Sequence, residues 1–140
     1  HDIGKIGVRE QVLHKAGPLT DEEYRHVMEH PITGWRTLQP LLHDHAIALN
    51  VVRNHHERWD GSGLPDHLAG EAIPLEARIA AVADTFDAMT SHRPYRPPLP
   101  LETTVEEILR YRGKQFDTQA ADAFVALVNR GELPGGADVG

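Results

Sequence analysis

The sequence at residues 47–65 is IALNVVRNHHERWDGSGLP, which places two adjacent histidines between a helical pattern and a glycine-rich turn. Apolar residues recur here with the spacing of one helix face: Ile47, Ala48, Val51 and Val52. Because the series continues to His55 and His56, both imidazoles are predicted to point with the buried stripe. A single buried histidine is usually a hydrogen-bonded core residue, whereas two adjacent rings need two sets of partners. A metal site and a hydrogen-bonded core pair are both compatible with this stretch.

The composition is that of a soluble globular domain with one hydrophobic core: 140 residues, 40% apolar and 25% charged. The chain has no cysteine, which excludes disulfides and thiolate metal sites and fits the reducing cytoplasm. The net charge of −7 argues against duplex nucleic acid as a partner, but not against a small anion held by metals and arginines. No apolar run approaches the roughly 20 residues of a membrane span, so no membrane segment is expected. Ten histidines direct attention to nitrogen and oxygen ligands.

Helix signals precede the histidine pair. Residues 1–7 have the spacing of a helix end, with a glycine closing it. Thr20 and Glu23 form a capping box that starts the next helix. Pro31 should break or kink that helix, just after His30.

Helix signals also follow the histidine pair. The histidine-bearing helix is predicted over residues 44–58, followed by a long Gly/Pro-rich loop at 60–75. Residues 76–90 form a helix that is apolar nearly all round and should therefore be buried. Two amphipathic helices follow, at 101–111 and after Asp117. With no convincing strand, the fold class is all-α.

Candidate metal ligands, all His or Asp, come from four separate helical segments: His1, Asp2, His30, His55, His56 and Asp84. Asp84 interrupts an apolar run, where a carboxylate is costly unless it is paired or metal-bound. Together these residues offer more ligands than one metal ion needs when a water position stays open. Two metals sharing a bridging carboxylate are therefore predicted. Two divalent ions roughly 3.5–4 Å apart hold a hydroxide and stabilise the attacking and leaving oxygens of a phosphoryl transfer.

A proline-dense segment after the apolar helix carries two arginines, Arg93 and Arg96. If this segment is extended as polyproline II, with about three residues per turn, both arginines lie on the same side. Two arginines so placed can clamp an anion. Two solvated loop arginines are an equally good interpretation of the segment by itself.

These motifs together resemble the HD-GYP domain, a branch of the HD phosphohydrolase superfamily. The matching residues, in chain order, are His1-Asp2-Ile3-Gly4-Lys5, His30 before Pro31, the stretch from His55 to Pro65, the stretch from Ala83 to Thr90, and Arg93-Pro94-Tyr95-Arg96. The resemblance covers residues 1 to about 128, and the last helix with Gln115-Phe116-Asp117 fits it as well. An HD dipeptide is a weak motif, but five motifs in the right order are strong.

The resemblance implies an HD-domain-like helical bundle whose Gly/Pro-rich loop lies at the active site. It implies an enzyme, a metal-dependent phosphodiesterase that hydrolyses the bacterial second messenger cyclic di-GMP through a metal-bridging hydroxide. Two divalent metal ions, iron or manganese, are expected as cofactors, and three where a full-length protein supplies further ligands. Asp2 would bridge two metals, and the other five candidate ligands would complete the shells.

The resemblance also implies roles around the metals. Lys5 would lie beside the centre and help to hold the scissile phosphate or a metal-bound water. Arg93 and Arg96 would bind the phosphates or guanines of the substrate. The remaining implied substrate contacts come from the glycine-rich loop: Gly61, Gly63, Leu64 and Pro65.

The sequence departs from the HD-GYP pattern in two ways. Gly63-Leu64-Pro65 stands where the family has Gly-Tyr-Pro, so the aromatic ring is replaced by leucine. The family also has metal ligands upstream of the HD dipeptide. Residues 1–131 are accordingly interpreted as an N-terminally truncated catalytic domain and 132–140 as a flexible tail.

Two alternative functions stay open. One is a non-hydrolytic cyclic di-GMP sensor or protein-docking module, for which Leu64 is the support. The other is an HD phosphohydrolase acting on another nucleotide. In each case the resemblance implies a cytoplasmic protein with an N-terminal sensor or receiver domain. A diguanylate cyclase or another signalling protein would be its partner.

Overall fold

The computed structural model describes residues 1–93 and 96–133, and in these ranges the chain is helical. The α-helices there are α1 (Glu10–Leu13), α2 (Asp21–Val27), α3 (His30–Leu38), α4 (Ala46–Asn54), α5 (Leu75–Thr90), α6 (Leu101–Arg110) and α7 (Thr118–Asn129). These same ranges contain no β-strand, so the predicted all-α class is confirmed. No helix within them has both the length and the apolar character needed to cross a membrane. Pro94, Tyr95 and the predicted tail from residue 134 onward lie outside the described residues.

The helix break predicted at Pro31 is confirmed. The capping box forms as expected, because Glu23 N–H donates to Thr20 Oγ1 at 3.2 Å and Thr20 N–H donates to Glu23 Oε2 at 2.8 Å. α2 ends at Val27, and α3 begins at His30 with Pro31 in its first turn. A proline there sacrifices no helical hydrogen bond. His30 therefore starts a new helix, with its side chain buried.

α4 buries a face that differs in part from the predicted one. Leu49 and Val52 are buried, whereas Ile47 is 69% exposed and Ala48 is exposed as well. The prediction that the stripe starts at Ile47 and Ala48 was wrong, because a run of apolar residues fits more than one helix face. The stripe does lead to His55, which caps the helix and is buried.

α5 is confirmed as a helix, but it is not buried all round. Ala77 and Val82 are buried, while Ile79 is 51% exposed. Because small side chains are abundant on this helix, its sequence does not indicate which face packs inward. One face joins α6 and α7 in the main core cluster, which comprises Val82, Ile108, Phe116, Ala121 and Val125. α5 also packs against α4 and so carries Asp84 towards the histidines.

The chain start forms a 3-10 helix, Ile3–Gly7, rather than the end of an α-helix. It packs directly on α3. A Cβ atom on Gly4 would lie 1.8 Å from the carbonyl oxygen of His30 and 2.6 Å from the amide nitrogen of Gly34. Only glycine permits this approach, and the contact brings His1 and Asp2 beside α3.

The long loop after α4 is anchored by a buried carboxylate. Glu57 Oε1 accepts from the amide of Asp66 at 2.6 Å, and Oε2 accepts from the amide of Leu68 at 3.1 Å. The carboxylate of Asp66 accepts in turn from Arg53 Nε and Nη2, each at 2.8 Å. The loop is thus fixed to α4 on the side that carries the histidine pair.

Candidate metal centre

The structure brings three predicted histidine ligands into one cluster. The ring centroids are 5.3 Å apart for His30 and His55, 5.0 Å for His30 and His56, and 4.2 Å for His55 and His56. One ring nitrogen of each lies within 4.8 Å of the other two. His1, Asp2 and His55 form a second group with the same spacing limit. Because His55 belongs to both groups, they make one continuous ligand set.

Asp2 lies between the two groups. Its Oδ1 atom is 3.5 Å from His30 Nε2 and 3.8 Å from His55 Nε2. Its Oδ2 atom is 3.3 Å from His1 Nε2 and 3.2 Å from Lys5 Nζ. Each carboxylate oxygen therefore faces a different group of side chains, as a bridging ligand would.

Asp84 reaches the site from α5. Its Oδ1 atom lies 3.1 Å from His1 Nε2, which joins the first and last of the predicted ligands along the sequence. All six candidate ligands thus meet, delivered by the chain start, α3, the end of α4 and α5. The hydrogen-bonded core pair, the alternative that the sequence left open, would not require these acidic neighbours.

The hydrogen bonds of two histidines leave a position suited to a cation. Nδ1–H of His30 donates to the Val27 carbonyl at 2.7 Å, and Nδ1–H of His55 donates to the Val51 carbonyl at 2.9 Å. In the neutral rings both Nε2 atoms are then bare acceptors, and they lie 3.2 Å apart. Two lone pairs cannot bond to each other, but both can bind a metal. Fixing Nδ1–H on a carbonyl is how proteins orient histidine ligands.

Burial keeps the clustered histidines neutral. It lowers the pKa of His30 and of His55, and it lowers the pKa of His56 to about 3. The neighbouring imidazoles lower the pKa of His56 further, since a second positive charge would be repelled. Neutral imidazole is the form that binds metal, so the cluster is ready for a cation at neutral pH.

The two carboxylates differ in their pKa values. Burial raises the pKa of Asp2, but Lys5 and the adjacent histidines together bring it below its ordinary value. Burial, and then the charge of Asp2, raise the pKa of Asp84. A divalent cation between Asp2 and Asp84 would offset the repulsion between their negative charges. The donor set therefore fits a metal centre.

A cavity of about 490 Å³ opens beside the ligands. His55, His56 and Asp84 line it, together with Gly63 and Leu64 of the loop. A Cβ atom on Gly63 would lie 2.3 Å from the amide nitrogen of Arg58, so glycine is required for this turn. Gly61 and Pro65 belong to the same loop but are not among the residues that line the cavity.

Arg93 and Arg96 are paired through their backbones in an antiparallel bridge, with N···O distances of 3.1 and 3.2 Å. Pro94 and Tyr95, on which the polyproline expectation depends, lie outside the described residues. Nη2 of Arg96 donates to the carbonyl of Ala88 at 2.9 Å, and Ala88 lines the cavity.

Several residues near the ligands were not predicted. Glu57 could have been anticipated, because a carboxylate directly after two buried histidines needs partners of its own. Gln115 and Tyr24 line the cavity from the α6–α7 turn and from α2. No local sequence pattern indicates that these two residues approach the histidines, since the tertiary fold alone brings them there.

In the described residues the chain is a helical domain with a cluster of histidines and aspartates that could hold divalent metal. Residues 1–120 match the family model described as HD domain, and the chain belongs to that family. The resemblance given by the sequence motifs is thereby confirmed.

The curated relatives are cyclic-dinucleotide phosphodiesterases. The chain is 44% identical over 131 residues to "Cyclic di-GMP phosphodiesterase" of Thermotoga maritima, covering 91% of this chain and 35% of that protein. It is 43% identical to "Cyclic di-GMP phosphodiesterase response regulator RpfG" of Xanthomonas campestris, covering 89% and 33%. It is 34% identical to "3'3'-cGAMP-specific phosphodiesterase 2" of Vibrio cholerae, covering 96% and 27%. The chain thus spans about a third of the length of the first two relatives.

A solved structure shares the fold. The cyclic GMP-AMP specific phosphodiesterase V-cGAP3 of V. cholerae superposes with a TM-score of 0.63 at 20% identity, covering 90% of this chain and 33% of that one. This likeness concerns the helical architecture.

Proposed function

We propose that this chain is a metal-dependent phosphodiesterase that hydrolyses cyclic di-GMP. The observation that carries the proposal is the meeting of six His and Asp ligands around facing Nε2 atoms of His30 and His55, 3.2 Å apart. Relatives at 44% and 43% identity that are named as cyclic di-GMP phosphodiesterases supply the substrate class.

Two divalent ions, iron or manganese, are the proposed cofactors. His30, His55 and His56 would hold one, and His1 with Asp84 the other, while Asp2 would contact both. A divalent pair, when bound, stabilises charge on phosphoryl oxygens and activates water for attack. The opposite orientation of the two oxygens of Asp2 supports the bridging role.

Cationic side chains of the chain would bind the phosphates. Lys5 Nζ lies 3.2 Å from Asp2 Oδ2 and is partly exposed, so it is placed to hold a phosphate oxygen next to the ligands. We propose the same role for Arg93 and Arg96. The contact of Arg96 with Ala88 supports a position at the edge of the cavity and leaves further guanidinium N–H groups for an anion.

The glycine-rich loop would form the wall against the nucleotide. Gly63 and Leu64 line the cavity, and Leu64 N–H donates to the carbonyl of His56 at 3.3 Å. The backbone of residue 64 therefore attaches the loop to the histidine pair, and this bond does not depend on the leucine side chain. Gly61 and Pro65 would act by shaping the turn. The clustered ligands support hydrolysis over a non-hydrolytic sensor or docking function, and the loop supports a cyclic dinucleotide over another nucleotide.

The cellular setting follows from the proposed substrate. A phosphodiesterase for a bacterial second messenger would act in the cytoplasm, under an N-terminal sensor or receiver domain. A diguanylate cyclase or another signalling protein is the proposed partner.

The test is hydrolysis of cyclic di-GMP by the chain after loading with Mn²⁺ or with Fe²⁺ under anaerobic conditions. We expect linear dinucleotide or GMP to accumulate, and to stop accumulating when a chelator is added. Tight binding of cyclic di-GMP over hours without product, with metal confirmed in the protein, would support the sensor instead.

A further inference from the structure

One residue of the cavity wall is a glutamine whose carboxamide makes no hydrogen bond among the described residues. Gln115 lines the same cavity as His55, His56 and Asp84. The hydrogen bonds that Gln115 makes within the described ranges come from its backbone, so its side chain keeps two donors and one acceptor.

The backbone of Gln115 is held from both sides. Its N–H donates to the carbonyl of Tyr111 at 2.9 Å, and its carbonyl accepts from the N–H of Trp59 at 3.1 Å. The next residue, Phe116, is buried in the main core cluster. The side chain therefore projects from a fixed point that links the α6–α7 turn to the histidine-bearing stretch. Such support by the scaffold is what a recognition residue needs.

Three other polar side chains of the lining are already engaged. The Ser62 hydroxyl donates to Asp60 at 2.6 Å, and the Thr85 hydroxyl donates to the carbonyl of Ala81 at 2.9 Å. Glu57 uses both oxygens to hold the loop. Gln115 differs from these three residues because its side-chain donors and acceptor form no hydrogen bond among the described residues.

The lining also supplies apolar surface for a flat ring. Tyr24, Met28, Leu64 and Met89 contribute to the wall. An apolar pocket with a few polar groups is the usual environment of a nucleobase, whose faces stack while its edge forms hydrogen bonds.

We propose that Gln115 recognises the edge of a purine base and accepts guanine and adenine alike. This inference rests on the proposed function. Guanine presents the O6 acceptor beside the N1–H donor, and adenine presents the N6–H donor beside the N1 acceptor. A carboxamide matches each edge in one of its two orientations, related by a rotation of about 180°. The substrate class is then cyclic purine dinucleotides rather than cyclic di-GMP alone.

The test compares hydrolysis of cyclic di-GMP and cyclic di-AMP by the wild-type chain and its variants. Gln115→Glu carries acceptors only, which pair with N1–H and N2–H of guanine but not with N1 of adenine. We expect this substitution to shift the ratio of kcat/KM by about ten-fold towards cyclic di-GMP. Gln115→Leu should raise KM for both substrates by about ten-fold and leave kcat nearly unchanged, because the base contact is the same in the ground and transition states. Gln119→Glu, at an exposed position of α7, is the matched control and should change neither value.

The outcomes separate this inference from the proposed function. Wild-type activity on both substrates, with unchanged constants in both Gln115 variants, would overturn the role of Gln115 alone. Activity on cyclic di-GMP without activity on cyclic di-AMP would overturn the dual recognition. Hydrolysis of the base-free diester bis(p-nitrophenyl) phosphate by metal-loaded protein, without hydrolysis of either dinucleotide, would overturn both proposals.

Discussion

His30 and His55 face each other through their Nε2 atoms at 3.2 Å, while the Nδ1 atom of each ring is bonded to a backbone carbonyl. Two neutral rings held in this way present lone pairs to each other, which is unfavourable without a cation or an added proton. The arrangement depends on the local backbone, because Val27 and Val51 lie three and four residues before the histidines that they orient.

Metal binding should stabilise the fold. At a free Mn²⁺ concentration one hundred times the dissociation constant, the gain is about 2.7 kcal/mol. We expect a higher unfolding temperature with Mn²⁺ in a thermal scan, and a return to the metal-free value on chelation. His55→Gln should show a much smaller shift, whereas an equal shift in that variant would place the metal elsewhere.

Gly4→Ala should destabilise the protein by roughly 3 kcal/mol or more, because its Cβ would overlap the carbonyl oxygen of His30. Gly7→Ala, in the same 3-10 helix, is the matched control, since its Cβ would meet the movable Thr33 methyl at 3.3 Å. Denaturant unfolding should separate the two variants clearly. Equal free energies of unfolding would mean that the chain start does not pack on α3 as described.

Glu57→Gln should loosen the loop, because an amide oxygen and an NH₂ group cannot both accept from the amides of Asp66 and Leu68. One backbone donor then loses its partner, at a cost of about 1–3 kcal/mol. Hydrogen exchange at these two amides should accelerate. Glu71→Gln, exposed in the same loop, should leave their protection unchanged. Continued protection in Glu57→Gln would contradict the anchoring role.

Acid should destabilise the metal-free protein partly through His56. The folded-state pKa of about 3 lies below the ordinary value of 6.5, so between these pH values the unfolded chain binds a proton that the folded chain does not. Stability therefore falls as the pH drops through this window, by up to about 1.4 kcal/mol per pH unit for one group. His56→Gln should show a shallower decline of the free energy of unfolding. An unchanged slope would mean that His56 titrates normally in the folded state.

Four of the six candidate ligands that meet in the structure could be picked out from the sequence because each breaks a local pattern. His55 and His56 extend an apolar stripe, Asp84 interrupts an apolar helix, and His30 precedes a helix-breaking proline. The all-α class followed from the helix signals. In each case the residue type conflicts with its expected burial, and the conflict is visible in one short segment.

What was missed depends on contacts between distant segments. The exposure of Ile47 and Ile79 depends on which face packs, and alanine-rich or uniformly apolar stretches do not encode that choice. Gln115 reaches the cavity through a bond to Trp59 across the fold. The backbone pairing of Arg93 with Arg96 is another contact that the sequence pattern does not reveal.

The chain contains an internal control for the role of Asp2 in metal binding. His43-Asp44 is a second His-Asp dipeptide. Its two side chains are 64% and 83% exposed, and His43 Nε2 lies 3.1 Å from Asp44 Oδ2. It has the same residue types as His1-Asp2 without the surrounding ligands. The most direct measurement is metal content together with cyclic di-GMP hydrolysis for the wild type, Asp2→Ala and Asp44→Ala. Wild type and Asp44→Ala should bind about two divalent ions per chain and hydrolyse the substrate. Asp2→Ala should lose metal and activity together. Full metal content and hydrolysis in Asp2→Ala would contradict the proposed metal-bridging role of Asp2.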